Sequence, residues 1–312
     1  MTDIDVVALG ELLIDFTPGG KGETGNPLFE MNPGGAPVNC LAVLAKLGAR
    51  TAFIGTVGTD HFGDFLRDTL VREDIGTEGL LRTGKAHTTL AFVHLNDDGE
   101  RNFSFLRKPG ADTQLEKDAV DISLINRARI LHFGSLSLTD DPARETTLFA
   151  VRYAKERGKT ISYDPNYRPL LWPDEDAALY WMKKGLEYAD IVKMSEEEMI
   201  LLTGFHDLKA GAEAIREMGP KLVLITLGGS GAYYYAGESN NGYVPGYSVS
   251  AVDTTGCGDA FTGAMLYQLL YTENKPLSRM VQYANAVGAL CATKKGGLPA
   301  MPGKPSVEAM IG

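Results

Sequence analysis

The sequence predicts an α/β fold in which a mostly parallel central sheet is covered by helices on both faces. Two observations carry this expectation. Short, continuous apolar runs recur along the chain, as strands buried on both faces require. Each run is followed by a turn signal and then by a stretch of helical periodicity, so strand and helix alternate. The strand candidates are 6–9, 51–54, 130–133, 160–163, 191–194 and 222–226. The helical candidates are 37–47 with Gly48 past its end, 141–157 with Gly158, 177–188, 196–203 and 208–217. In sheets of this kind ligands collect at the carboxyl ends of the strands.

Two stretches break the alternation. Residues 12–33 and 88–107 are extended and partly alternating, neither leads at once into a helix, and Asn96-Asp97-Asp98-Gly99 reads as a hairpin turn within the second. A small antiparallel sheet inserted into the α/β core, placed as a lid, is the expected outcome. No linker, repeat or low-complexity tract divides the chain, so residues 1–312 are expected to form one domain.

Composition narrows the function classes. The 312 residues are 44% hydrophobic and 22% charged, enough to bury a large core. A formal net charge of −10 with no basic run argues against nucleic acid or an acidic membrane surface as a partner. Cys40, Cys257 and Cys291 form no CxxC pair, and the five histidines have no metal-ligand spacing. Acidic residues at Asp3, Asp5 and Glu11 leave no room for a signal peptide, so a cytoplasmic location is expected.

The most specific string is Asp253-Thr254-Thr255-Gly256-Cys257-Gly258-Asp259, followed by helical spacing from Phe261 onward. A helix N-terminus offers unsatisfied N–H groups and partial positive charge, and glycines let an anion approach the backbone. The string therefore reads as an anion hole, with Asp259 beside it as a candidate proton acceptor. Helix capping by Asp253 or Asp259 is the competing reading. A second glycine turn, Gly34-Gly35-Ala36-Pro37, leads into a helix with Asn39 on its first turn, where an amide can serve a polyol. Asp15 follows the first strand and is suited to bridging hydroxyls; a solvated loop acid is the alternative. Gly158-Lys159-Thr160 is not a P-loop, because Tyr153 occupies the position of the first glycine.

These segments, in this order, resemble the PfkB carbohydrate kinases, which have the ribokinase-like fold. The resemblance runs from Gly10 to about Pro302. It takes in 55–63, the run Arg107-Lys108-Pro109-Gly110-Ala111-Asp112, Asp164-Pro165-Asn166-Tyr167-Arg168-Pro169 and Thr226-Leu227-Gly228-Gly229-Ser230-Gly231. Among members the chain is most similar to the fructokinases, through the Gly34-Gly35-Ala36-Pro37 turn, the Arg107 run and the Asp164 run leading to Leu171-Trp172-Pro173.

The resemblance implies transfer of the ATP γ-phosphoryl group to a sugar hydroxyl, with fructose 6-phosphate as the product. It makes Asp259 the base and the amides of Gly256, Cys257 and Gly258 the phosphoryl hole. Asp15, Gly34, Gly35, Asn39, Arg107 and Arg168 would bind sugar, and Lys193, Thr226, Gly228, Gly231 and Asn285 the nucleotide. Glu198 would support Mg2+ through water, although Ser195 stands where many relatives have asparagine. Asp253 and Thr255 lie where many members hold a monovalent cation such as K+. A homodimer through the lid is a further expectation. The alternatives are a 2-keto-3-deoxygluconate kinase and a non-catalytic sugar or nucleotide sensor on the same fold.

Overall fold

The computed structural model describes residues 2–95, 101–272 and 274–312, so the expected turn at Asn96-Asp97-Asp98-Gly99 lies outside the described residues. The large sheet has nine strands. From one edge to the other they are β13 (Asn241–Pro245), β12 (Gly231–Tyr235), β11 (Leu222–Thr226), β10 (Ile191–Ser195), β9 (Thr160–Asp164), β8 (Ala128–Gly134), β1 (Ile4–Leu9), β4 (Thr51–Gly58) and β5 (Ile75–Thr83). All pairs from β11 to β5 are parallel, while β12 and β13 add an antiparallel edge.

The central strands are mostly apolar because both faces are covered. Val6 and Ala8 point into one core cluster, and Val7 and Leu9 into the other. The first cluster is closed by α1 (Ala36–Leu47), α2 (His61–Arg72), α8 (Cys257–Tyr271), α9 (Leu277–Ala292) and α10 (Lys304–Ile311). The second is closed by α3 (Ile122–Arg127), α4 (Ala143–Glu156), α5 (Glu175–Leu186), α6 (Glu196–Thr203) and α7 (Leu208–Glu217). No helix among the described residues is long and apolar enough to cross a membrane.

The chain leaves β1 toward β4 and β5, then returns to β8 and proceeds toward β11, so the strand order reverses between β1 and β8. The crevice at the carboxyl ends there is where α/β sheets bind ligands. The second sheet, in the order β3 (Pro27–Gly34), β2 (Leu13–Lys21), β6 (Leu90–Leu95), β7 (Arg101–Leu106), is built from the two stretches that broke the alternation. It is not wholly antiparallel as expected: β2 and β6 pair in parallel and join two antiparallel pairs. A sequence gap of more than sixty residues separates those strands, and local hairpin signals carry no information on how separate hairpins pair.

Helix α8 is apolar on all sides and packs between α1 and α9. Gly263 permits its approach to α1, since a β-carbon there would lie 2.3 Å from Val43 Cγ1 and 2.7 Å from the carbonyl oxygen of Cys40. Helix propensity alone would make Gly263→Ala stabilising by about 1 kcal/mol. Overpacking costs about 1–3 kcal/mol, and a backbone carbonyl cannot rotate out of the way as a side-chain tip can. Gly263→Ala should therefore lower the urea midpoint; a raised midpoint would mean that the two helices separate freely.

Candidate active site

The glycine string forms the entry to α8, which begins at Cys257 and not beyond the glycines. Gly256 is the N-cap residue with φ 78°, a left-handed conformation that favours glycine. A β-carbon there would also press on Met301, Gly297 and the amide of Asn39. No protein acceptor among the described residues takes the N–H groups of Gly256 and Gly258, whereas that of Cys257 donates to Thr254 O at 3.3 Å. Unengaged donors and the helix dipole together make an anion site.

Neither acid of the string caps the helix, and α8 has no side-chain cap. The two oxygens of Asp253 accept the N–H groups of Thr255 at 2.8 Å and Gly296 at 3.0 Å, tying the loop to the 296 turn. Asp259 Oδ2 accepts the side-chain N–H of Asn39 at 2.9 Å. Asn39 is itself buried between Gly256 and Gly297, and its Oδ1 has no partner among the described residues. Burial raises the Asp259 carboxyl to about 6; the charge of Asp164 adds to this, and Lys193, the Asn39 hydrogen bond and Arg168 oppose it.

Asp15 reaches the same cleft from β2. Its carboxylate lies against Gly34, where a β-carbon would meet Asp15 Oδ2 at 2.1 Å, so glycine is required there by contact and not by turn geometry. Desolvation raises Asp15 to about 7, against the charge of Arg168 and with added repulsion from Asp259 and Asp253. Gly35, with φ 120°, is the N-cap of α1, and a β-carbon on it would lie 2.4 Å from Glu11 O. Glu11 was not anticipated. It is buried, its Oε1 accepts the N–H of Ala36 at 2.9 Å, and burial pushes its carboxyl to about 7. An acid right after a buried strand, facing a glycine turn, was the available signal.

Three groups from neighbouring strand ends complete the centre. Lys193 Nζ, on β10, pairs with Asp164 Oδ2 of β9 at 3.1 Å, and both side chains are buried. Burial alone would lower the ammonium's pKa, but Asp164, Glu198 and Asp259 outweigh it and hold it above the usual lysine value. The ammonium sits on the anion hole, since a β-carbon on Gly258 would lie 2.6 Å from Nζ. Arg168 is exposed, donates to Tyr167 O at 3.0 Å, and carries its charge toward both Asp15 and Asp259.

Arg107, expected at the sugar, is buried and committed elsewhere. It donates to Asp112 Oδ2 at 2.8 Å, to Thr139 Oγ1 at 2.8 Å and to Leu136 O at 2.9 Å. Its planar fork thereby ties the end of β7 to the segment after β8. On the expected nucleotide side, Thr226 ends β11, Gly228 and Gly231 have φ 57° and 121°, and a β-carbon on Gly231 would lie 2.2 Å from Val244 O. Asn285 does not present its amide N–H groups to a ligand. They donate to Val244 O and Pro245 O, both at 3.1 Å, so it anchors β13 to α9.

Among the described residues no cluster of three or more His, Cys, Asp or Glu could hold a metal ion. Glu198 is half of a capping box: Ser195 Oγ accepts its N–H at 3.2 Å, and its Oε2 accepts the N–H of Ser195 at 2.7 Å. Its Oε1 accepts the N–H of Tyr167 at 2.6 Å. Burial raises its carboxyl above the ordinary value against the pull of Lys193. A divalent cation caged by protein alone does not fit this centre; one carried by phosphates and water beside a single carboxylate does.

Residues 3–303 match the pfkB family of carbohydrate kinases. The chain is 41% identical to probable fructokinase-7 of Arabidopsis thaliana over 98% of this chain and 92% of that one. The fructokinase of Xylella fastidiosa, solved with bound ATP, superposes with a TM-score of 0.90 at 34% identity, covering 98% of each chain. A double-mutant fructokinase of Vibrio cholerae O395, solved with fructose, ADP and potassium ion, superposes at 0.89 with 32% identity and full coverage of both chains, at 100%. With a family match spanning nearly its whole length, this chain belongs to the pfkB family of carbohydrate kinases.

Proposed function

We propose that the chain is an ATP-dependent fructose kinase that transfers the γ-phosphoryl group to the 6-hydroxyl of the sugar. The observation that carries the reading is the position of Asp259: in the first turn of α8, beside the unengaged N–H groups of Gly256 and Gly258, and aligned by Asn39. A carboxyl with a pKa of about 6 is ionised at neutral pH, yet is a better proton acceptor than an ordinary aspartate. Asp259 takes the proton of the attacking hydroxyl. The amides of Gly256 and Gly258, with the weakly engaged amide of Cys257, receive the phosphoryl oxygens, and Lys193 and Arg168 offset their charge.

Asp15 and the Gly34-Gly35 turn bind the sugar, and the small sheet that carries Asp15 serves as the lid over it. In this reading Arg107 braces the lid and does not touch the sugar. Thr226, Gly228 and Gly231 flank the nucleotide, with Asn285 holding the adenine side in shape. Glu198 would hold a Mg2+ ion through water, and the ion would supply positive charge to the phosphates of ATP. Asp253, Thr255 and the loop between them would hold K+ beside the anion site.

Asp259→Asn keeps the shape of the side chain and removes the proton acceptor, so kcat should fall by about 10² to 10⁴ while ATP affinity changes little. Retention of more than about a tenth of the wild-type kcat would remove Asp259 from the role of base.

The sugar is tested by comparing fructose with 2-keto-3-deoxygluconate in a coupled ADP-release assay. Asp15 is an acceptor for hydroxyls and would repel a substrate carboxylate, so kcat/KM for fructose should be at least about tenfold higher, or about 1.4 kcal/mol. The same assay should run faster in potassium than in a bulky organic cation at equal ionic strength. A sugar-acid rate equal to the fructose rate would overturn the substrate, and equal rates in the two cations would overturn the K+ site.

A further inference from the structure

Asp164 had no role in the residue-by-residue expectation, although it reaches three separate parts of the cleft. Oδ2 accepts Lys193 Nζ at 3.1 Å and lies 3.5 Å from the hydroxyl of Thr262, which in turn donates to Gly258 O at 3.0 Å within α8. Oδ1 accepts the N–H of Asn166 at 3.1 Å. Asn166 is left-handed, with φ 43°, and this turn leads directly to Arg168. Asp164 thus touches β10, α8 and its own following turn from one buried point.

We propose that Asp164 is a positioning residue for phosphoryl transfer: one oxygen holds the Lys193 ammonium against Gly258, and the other shapes the turn that delivers Arg168. The cations are then in place before the phosphoryl group arrives, and no reorganisation is needed as its charge develops. The inference rests on the kinase reading above. The competing account is a buried ion pair that serves stability alone.

In Asp164→Asn the amide oxygen can still accept the N–H of Asn166, but an N–H group, not an anion, faces Lys193. We expect kcat to fall at least tenfold in a folded protein. Asp259 is faced by Asn39 from α1, Asp15 from β2, Lys193 from β10, and Asp164 and Arg168 from β9 and its turn. Loss of the Asp164 charge removes a repulsion, so the acid limb of kcat/KM should move to lower pH whichever role the residue has; combination with a Lys193 substitution separates positioning from stability alone.

If Asp164 acts through Lys193, the losses are not additive, and Asp164→Asn combined with Lys193→Gln should have a kcat within about threefold of Lys193→Gln alone. The double variant removes both members of the buried Asp164–Lys193 pair, so it remains informative should Asp164→Asn fold poorly. Unchanged kcat in Asp164→Asn, or a further tenfold loss in the double variant, would overturn the inference. A wild-type chain that phosphorylates no sugar would instead overturn the kinase reading.

Discussion

The hydrogen bond from Asn39 to Asp259, 2.9 Å long across 220 residues of sequence, is the constraint on which the site depends. It joins the first turn of α1 to the first turn of α8. Both helices must therefore enter the same crevice at a fixed angle. Gly263 supplies the close packing behind this junction, and Gly256 and Gly297 supply the space around it. A buried amide that donates to a buried carboxylate is strong because little water competes with it, and it holds the carboxylate in one orientation.

Around that bond the electrostatics are balanced by opposing terms. Asp15, Asp164, Glu198 and Asp259 converge on a small, poorly solvated volume, and burial raises the carboxyls of Asp259, Asp15 and Glu198. Lys193 and Arg168 keep the cluster from collapsing into neutral acids. The arrangement sets carboxylates and cations side by side at the entry to α8, and in the proposed reaction the carboxylates face the sugar hydroxyl and the cations the phosphate. A single centre can then bind a neutral polyol and a polyanion side by side, even in a protein of net charge −10.

Much of this was legible in the residues. The continuous apolar runs placed the parallel strands, because burial on both faces leaves that mark, and the Gly256-Cys257-Gly258-Asp259 string stands at a helix entry, where its glycines implied it. What was not legible depends on contacts between distant segments. The parallel junction of β2 and β6, the diversion of Arg107 to Asp112 and Thr139, and the use of Asn285 to pin β13 all require knowing what lies across a gap in sequence. The strands β5, β12 and β13 and the helix α2 escaped notice because glycine, tyrosine and charged residues interrupt their apolar patterns. Glu11 and Asp164 stood in the open as acids after buried strands, but their importance lies in which backbone groups and cations they hold.

The central claim, that a buried and aligned Asp259 accepts the hydroxyl proton, is tested most directly by the pH dependence of wild-type kcat/KM for fructose at saturating Mg-ATP. The base must be ionised to act, and Asp15 at the sugar is raised to about 7, so the rate should fall on the acid side between about 7 and about 6. Full activity persisting down to about pH 4.5, near the ordinary range of carboxylates, would contradict the account.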